Sequence, residues 1–308
     1  MQMTRRNIVT GGRGLLGGAI VDKLEAAGRE VVSLSSDDCD LRDYDATLRL
    51  FTDLKPAIVF HAAAKVHGLM GNREFPGEMF SDNVRINLNV IDACRATGVE
   101  KIVAVSTVAT YSSDIPLPVK PESIWDGPPH ASEAAYGHAK RAMLAQLGAY
   151  SQQYGMKFAY ALMTNIYGPR DRFDTQYGHV IPSLIAKFFA ASRSGEPVKI
   201  WGSGRAERDF IYSEDAATAL LAIADGFEGA LNVATGEITS IKDVVGKMQQ
   251  ISGVEQVEWD RTKPDGQLLR RYDVQPLAEL GFQPAFTLLE GLANTYEWYS
   301  RNNGSARK

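Results

Sequence analysis

Tyr136 and Lys140 stand four residues apart in Tyr136-Gly-His-Ala-Lys140, a spacing that puts both on one face of a helix. A free tyrosine ionises near pH 10, too high for acid/base work at neutrality, and a neighbouring ammonium lowers that value. The pair alone is common in helices; its company gives it weight. Thr107 supplies a hydroxyl just past the apolar run Lys101-Ile-Val-Ala-Val-Ser106. Near the chain start, Thr10-Gly11-Gly12-Arg13-Gly14-Leu15-Leu16-Gly17 spaces glycines three residues apart. Glycine is needed where a strand turns sharply into a helix, where backbone approaches a pyrophosphate, and where the helix packs closely on the strand. The helix end then offers N–H groups and partial positive charge to the phosphates. A dinucleotide is therefore expected at Gly11, Arg13, Gly14, Leu15, Leu16 and Gly17, with Thr107, Tyr136 and Lys140 as the catalytic set.

The end of the second apolar run tells which nicotinamide. An acid there would bind the adenosine ribose, but the sequence reads Ser33-Leu34-Ser35-Ser36, hydroxyls without a carboxylate. Arg13, in the glycine loop, can clamp a 2′-phosphate. Asp37 and Asp38 follow closely and pull the other way. The balance favours NADP(H), with Ser35 and Ser36 beside the ribose.

These residues need a scaffold that brings them to one edge. Strand-like runs at Asn7–Thr10, Glu30–Leu34, Ala57–His61, Lys101–Ser106 and Lys157–Leu162 alternate with helical patterns at Leu15–Ala27, Asp43–Leu54, Phe80–Thr97 and Glu133–Tyr154. Continuous apolar strands between helices mean a parallel sheet covered on both faces, wound with right-handed crossovers. The expected fold is α/β: a Rossmann-type doubly wound parallel sheet with a smaller, mixed α/β substrate-binding lobe. After Thr164 glycine, proline and aromatics scatter through shorter elements. The boundary is drawn there, with 1–163 as the cofactor domain and 164–308 as mainly the substrate lobe, some of whose segments return to the first domain. Ser240–Asp243 and Thr287–Glu290 read as capping boxes, and the polar tail from Asn302 reads as frayed.

Composition narrows the partners. A net charge of −4 over 308 residues excludes a basic nucleic-acid footprint, and the pairs Arg5–Arg6 and Arg270–Arg271 read as solvated or single-ligand contacts. Two cysteines, Cys39 and Cys94, are too few for a disulfide framework, and no His/Cys spacing suggests a metal. With no apolar leader and no run of about 18 apolar residues, a cytoplasmic protein with no membrane partner is expected.

The order of glycine loop, hydroxyl, tyrosine and lysine resembles the extended short-chain dehydrogenase/reductases, the NAD-dependent epimerase/dehydratase family. Further stretches are similar to the GDP-L-fucose synthases: Ser35-Ser36-Asp37-Asp38-Cys39-Asp40-Leu41, Ala62-Ala63-Ala64-Lys65-Val66, Thr164-Asn165-Ile166-Tyr167-Gly168-Pro169, Gly178-His179-Val180-Ile181-Pro182, Trp201-Gly202-Ser203-Gly204 and Lys263-Pro264-Asp265-Gly266. The resemblance implies that Asp40 and Leu41 hold the adenine and that Ala62, Ala63 and Ala64 line the cofactor cleft. It implies that Lys140 binds the nicotinamide ribose and that His179 is an acid/base at the edge of the cofactor site. Asn165, Val180, Lys187, Trp201, Arg208 and Lys263 would surround a GDP-linked keto sugar. It also implies a homodimer.

One departure bears on the chemistry. The family pairs that histidine with a cysteine, in Ser-Ser-Cys-Ile-Tyr-Pro, to invert C3 and C5 of the sugar. Here the stretch is Thr107-Val108-Ala109-Thr110-Tyr111-Ser112, and Ala109 takes the cysteine's place. A methyl group cannot exchange a proton. His67, where the family has glycine, is a surface residue or a polar group facing the sugar. The leading expectation is an NADPH-dependent 4-keto reductase of a nucleotide-linked deoxy sugar (hexose or heptose) without full C3/C5 epimerisation. The alternatives are a bifunctional 3,5-epimerase/4-reductase, a non-redox nucleotide-sugar epimerase or lyase, and a redox-silent NADP-binding regulator.

Overall fold

The computed structural model describes residues 5–66, 72, 74–175, 178–262 and 269–307. Six parallel strands form its central sheet. They are β1 (Asn7–Thr10), β2 (Val31–Leu34), β3 (Ile58–His61), β4 (Lys101–Thr107), β5 (Lys157–Met163) and a later strand, Gly229–Val233. Their spatial order is β2-β1-β3-β4-β5 and then Gly229–Val233 at the far edge. The chain leaves β1 toward one side for β2 and returns on the other for β3. The crevice outside the carboxyl ends of β1 and β3 is thus the switch point at which such sheets bind ligands.

Side chains alternate along each strand and supply two separate cores. Val9, Phe60, Val103, Ala159 and Ala161 pack against α1 (Leu15–Ala26) and the helix Ser213–Gly226. Ile8, Val59, Ile102, Tyr160 and Leu162 face the other way, against α2 (Tyr44–Leu54), α3 (Pro76–Thr97) and α4 (Ala134–Tyr154). Strands apolar on both sides can be stable only as such a filling between helix layers. The architecture is the Rossmann-type doubly wound α/β fold.

A third core draws on residues from Tyr167 onward. The second half of the chain runs through β6 (Asn165–Tyr167), α5 (Val180–Ser194), β7 (Val198–Trp201), β8 (Glu207–Arg208), β9 (Phe210–Tyr212), α6 (Ser213–Gly226), β10 (Gly229–Val233), β11 (Thr239–Ser240), α7 (Ile241–Ser252), β12 (Val257–Asp260), α8 (Gln275–Glu279) and α9 (Leu288–Asn302), and the third core joins β6, α5, β7, β9, α7, β12 and α9. Helix α6 and strand β10 belong instead to the central sheet's layers.

Three local expectations change. Helix α3 begins at Pro76, not Phe80, because proline, whose ring presets φ, is well suited to a first helical turn. Thr287 and Glu290 form the full capping box, but at Ser240 only half forms: its hydroxyl accepts from Asp243 N–H at 3.0 Å and donates to Asp243 Oδ2 at 2.6 Å. Aspartate is one methylene shorter than the glutamate of a capping box, too short to reach back to the cap's own N–H. The tail is not frayed, since Phe173 N–H donates to the Arg307 carbonyl at 2.8 Å and Ala306 packs on the third core.

Candidate active site

The glycine loop fits a dinucleotide cradle by what side chains would destroy. Gly11 has φ +70°, and a Cβ there would lie 3.0 Å from the backbone of Ala63. A Cβ on Gly17 would lie 2.2 Å from the Gly11 carbonyl oxygen, so helix and turn touch backbone to backbone. Gly14 caps α1 with no side-chain hydrogen bond, and the first turn carries no acid. The first N–H groups of this helix therefore face the switch-point crevice without a carboxylate to compete with a phosphate. Leu16 is buried in the core beneath α1, so its backbone, not its side chain, faces that crevice; Leu15 is half-buried.

Around this loop the sequence-predicted cofactor residues gather at one edge. Arg13 reaches over the end of β2 and pairs with Asp37 at 2.7 Å and Asp38 at 3.6 Å. Asp38 also accepts from the Ser35 hydroxyl and N–H, which lowers its pKa. Ser36 is exposed beside them. Asp40 is clasped by Arg42 at 2.8 Å, and the Leu41 carbonyl is held by Asn89 at 2.9 Å. Ala62, Ala63 and Ala64 follow β3. Ala63 N–H donates to Thr10 Oγ1 at 3.1 Å, and Asn83 brackets the Lys65 backbone at 3.0 and 2.9 Å.

Beneath the loop lies a buried histidine that the sequence reading passed over. His61 Nδ1 is 2.8 Å from Thr10 Oγ1 and its Nε2 is 3.0 Å from Asn87 Oδ1. The amide oxygen can only accept, so the assigned neutral tautomer carries its proton on Nε2 and takes the Thr10 hydroxyl proton on Nδ1. Burial, reinforced by Lys140, drives its pKa down to about 3. His61 ends the third apolar run, the one signal in the sequence that a polar group sits under the crevice.

Tyr136 and Lys140 lie one turn apart on α4. The Lys140 ammonium is 5.7 Å from the Tyr136 ring centre and donates to the Val105 carbonyl of β4 at 2.8 Å. The same helix is pinned to β5 where Tyr160 donates to the Lys140 carbonyl at 2.7 Å. Burial pulls Lys140 down to about 7. The expected lowering of Tyr136 is corrected: desolvation first, and the Glu133 carboxylate second, push it above its ordinary value. Lys140 directs its proton to a backbone carbonyl, so in the protein alone burial of the phenolate dominates.

Thr107 ends β4 and accepts from Ala109 N–H at 3.1 Å. Ala109, 6% exposed, sits in a short 3₁₀ turn. That turn is clamped by two arginines: Arg141 donates to the Thr110 carbonyl at 2.6 and 2.9 Å, and Arg270 to the Val108 carbonyl at 2.7 Å. Arg270, expected to be solvated or a single-ligand contact, is not solvated: it is 9% exposed, held in by that backbone acceptor. Arg208 is half-buried, and its pKa is lowered by burial; it feels the charges of Tyr272, Arg270 and Glu133. Glu133 thus acts electrostatically on both the tyrosine and Arg208, and sequence reasoning missed it although it lies one turn before Tyr136.

The remaining predicted residues come from β6, α5 and β7. Asn165 donates to the Asp209 carbonyl at 2.9 Å. His179 is the residue before α5 and Val180 its exposed first residue; the imidazole caps no helix N–H. His179 is accessible to water, yet crowding by the surrounding protein lowers its pKa. Lys187 Nζ lies 5.6 Å over the ring of Trp201, which is 52% exposed, and desolvation lowers the lysine's pKa. A cation beside an open aromatic face suits a phosphate next to a flat ring. His67 and Lys263 lie outside the described residues. Among the described residues no three His, Cys, Asp or Glu side chains gather to hold a metal, and no helix is long and apolar enough to cross a membrane.

Residues 7–234 match the model of the NAD dependent epimerase/dehydratase family. A probable GDP-L-fucose synthase of Oryza sativa is 34% identical over 97% of this chain and 93% of its own length. The crystal structure of a GDP-L-fucose synthetase from Naegleria fowleri bound to NADP is 30% identical, with a TM-score of 0.93 over 100% of this chain and 97% of that one. A GDP-mannoheptose C4 reductase from Campylobacter jejuni with NADP bound is 26% identical, with a TM-score of 0.87 over 97% and 99% of the two chains. The cradle, the tyrosine–lysine helix and the nearly full-length match agree: the chain belongs to the NAD dependent epimerase/dehydratase family.

Proposed function

We propose that this chain is an NADP(H)-dependent oxidoreductase that reduces the C4 ketone of a GDP-linked deoxy sugar, leaving C3 and C5 without full epimerisation. The relatives named as GDP-L-fucose synthases and as a GDP-mannoheptose C4 reductase, two of them structures with NADP bound, support the cofactor and the substrate class. The observation that carries the reading is Tyr136 beside Lys140 on α4, with Thr107 at the end of the neighbouring strand. Gly11, Gly14 and Gly17 seat the diphosphate, while Arg13, Ser35 and Ser36 meet the adenosine 2′-phosphate. Asp40 and Leu41 flank the adenine, and Ala62–Ala64 leave room for the rest.

Bound NADPH supplies the hydride. Tyr136, whose proton is held by burial, donates it to the ketone oxygen as charge develops there. Thr107 offers a second hydroxyl to that oxygen, and Lys140 orients the ribose and, in its protonated form, adds positive charge beside it. Asn165, Val180, Lys187, Trp201, Arg208 and Lys263 hold the GDP-sugar. Cation and aromatic groups at Lys187, Trp201 and Arg208 match a diphosphate and a flat base. His179 is the one remaining member of the family's proton-exchanging pair. The working form is a cytoplasmic homodimer, checked by light scattering.

A second reading has its own observation. The Glu133 carboxylate acts on Tyr136 and Arg208, so an acid/base other than a cysteine is close at hand, which favours a bifunctional epimerase/reductase. Incubation with NADPH and GDP-4-keto-6-deoxymannose in deuterated water, followed by NMR of the product, tests both. NADPH oxidation with no label at C3 or C5 supports the reductase; label at both carbons supports the second reading.

A further inference from the structure

The segment that follows α9 comes to lie against the glycine loop. Helix α9 closes at Asn302, whose carbonyl takes the N–H groups of Ser305 and Ala306 at 2.9 and 2.8 Å, and the chain turns back. The Arg307 carbonyl then accepts from Phe173 N–H at 2.8 Å, which fixes the residue's backbone against the segment after β6. Its guanidinium points to the start of α1: a Cβ placed on Gly14 would lie 3.8 Å from Arg307 Nη1. Gly14 is the cap of the helix whose N–H groups make the phosphate cradle.

Arg13 and Arg170, whose guanidinia also lie near this loop, are engaged elsewhere, Arg13 with Asp37 at 2.7 Å and Arg170 with Asp22 at 2.8 Å. The carboxylate that Arg307 acts on is Asp171, 6% exposed, whose Oδ1 accepts from Arg172 N–H at 2.7 Å while its Oδ2 has no hydrogen-bond partner. Burial pulls Asp171 up to about 7, so at neutral pH this carboxyl only partly offsets the guanidinium.

We propose that Arg307 is a cofactor-binding residue: it reaches from the segment after α9 across Gly14 and hydrogen-bonds the diphosphate of the bound dinucleotide. A guanidinium presents several N–H donors in a fixed plane and matches phosphate oxygens in pairs. A helix end alone supplies partial charge, and a diphosphate carries about two full negative charges at neutral pH. The assignment rests on the reading that a dinucleotide occupies the cradle. It differs in kind from the role given to Arg13, which faces the adenosine end and separates NADPH from NADH. Arg307 would act on what the two cofactors share.

Fluorescence titration of the full chain, without sugar substrate, separates these roles. Wild-type binding of NADPH first checks the dinucleotide reading, and its absence would overturn both that reading and this one. With binding in hand, Arg307→Ala should weaken NADPH and NADH by the same factor, about tenfold, the loss of one charge-assisted hydrogen bond. Adenosine 2′-monophosphate, which has no diphosphate, should bind the variant as it binds the wild type, and Arg307→Lys should recover part of the loss. Unchanged affinity for both dinucleotides would overturn the assignment. So would a loss confined to NADPH, which would put the residue on the 2′-phosphate, or a loss extending to adenosine 2′-monophosphate, which would mean that the tail merely supports the fold.

Discussion

The Lys140 ammonium stands 5.7 Å from the centre of the Tyr136 ring and gives a hydrogen bond to the Val105 carbonyl at 2.8 Å. The lysine is thereby fixed to β4, and the tyrosine keeps its proton because desolvation and Glu133 both oppose the phenolate. A phenol with a raised pKa is a donor at neutral pH, which is what ketone reduction asks of it. Tyr136→Phe removes only the hydroxyl. Turnover should fall by about 100-fold or more, the usual size of lost acid catalysis, with NADPH affinity measured by titration nearly unchanged.

Lys140 carries a pH signature of its own. Burial depresses its pKa from 10.5 to about 7, so between those values the unfolded chain binds a proton that the native chain does not. Stability of the apoprotein therefore gains from this group as pH rises from about 7 toward 10.5, and the burial penalty is fully present below about 7. Lys140→Met should stabilise the apoprotein at pH 6–7 by on the order of 1–3 kcal/mol, less whatever the Val105 carbonyl loses, and the advantage should vanish near pH 10. Denaturant melts across that range measure it. The same variant should bind NADPH more weakly and turn over slowly.

Arg13 reports on cofactor choice. Its side chain is 60% exposed and its partners Asp37 and Asp38 are surface groups, so Arg13→Ala should barely alter thermal stability. It should weaken NADPH by about tenfold, equivalent to about 1.4 kcal/mol, and leave NADH almost untouched. Equal losses for the two cofactors would remove Arg13 from the 2′-phosphate.

His61 should make the apoprotein acid-sensitive. Its folded pKa is about 3 against an ordinary value of 6.5, so the native state keeps the ring neutral while the unfolded chain gains a proton. The stability this group contributes is complete above about pH 6.5 and falls with pH, by at most about 1.4 kcal/mol per unit. Melts between pH 6.5 and 5, before most carboxylates titrate, should show that slope, and His61→Gln should flatten it.

How far this was legible in the sequence depends on the range of the interaction. The central sheet was readable because each strand is apolar on both faces, as Ile8 and Val9 illustrate by entering opposite cores. Helix α4 was readable because Tyr136 and Lys140 are neighbours by spacing alone. Contacts between distant parts of the chain left no such mark. Arg270 reaches the Val108 carbonyl, and Arg307 comes to lie against Gly14, only through the fold. The sign of the Tyr136 shift was also out of reach, because spacing gives the distance to a charge but not how much water surrounds the phenol. The half-formed box at Ser240 is the opposite case. Its side-chain chemistry was in the sequence, and one missing methylene in Asp243 decided it.

The stereochemical outcome turns on Ala109 and Glu133. Inverting a carbon beside a ketone takes one group to remove the proton and another to return it from the opposite face. Ala109 is buried in a 3₁₀ turn whose carbonyls are held by Arg141 and Arg270, and a methyl group there offers no proton. Glu133, one turn before Tyr136, brings a carboxylate whose charge reaches both Tyr136 and Arg208. If the enzyme only reduces, the product formed in deuterated water carries no label at C3 or C5, and Glu133→Gln leaves that unchanged while altering rate and its pH dependence, since Tyr136 loses the neighbour that helps to raise its pKa. If Glu133 has taken over proton exchange, the wild type incorporates deuterium and Glu133→Gln abolishes the label at one carbon at least, with NADPH oxidation retained. His179→Gln serves as the companion: loss of label in that variant too would identify the pair, and label surviving both substitutions would point to a group other than these two. Ala109→Cys completes the set. New deuterium in its product, against none in the wild type, would show that the sugar comes within hydrogen-bond reach of that turn.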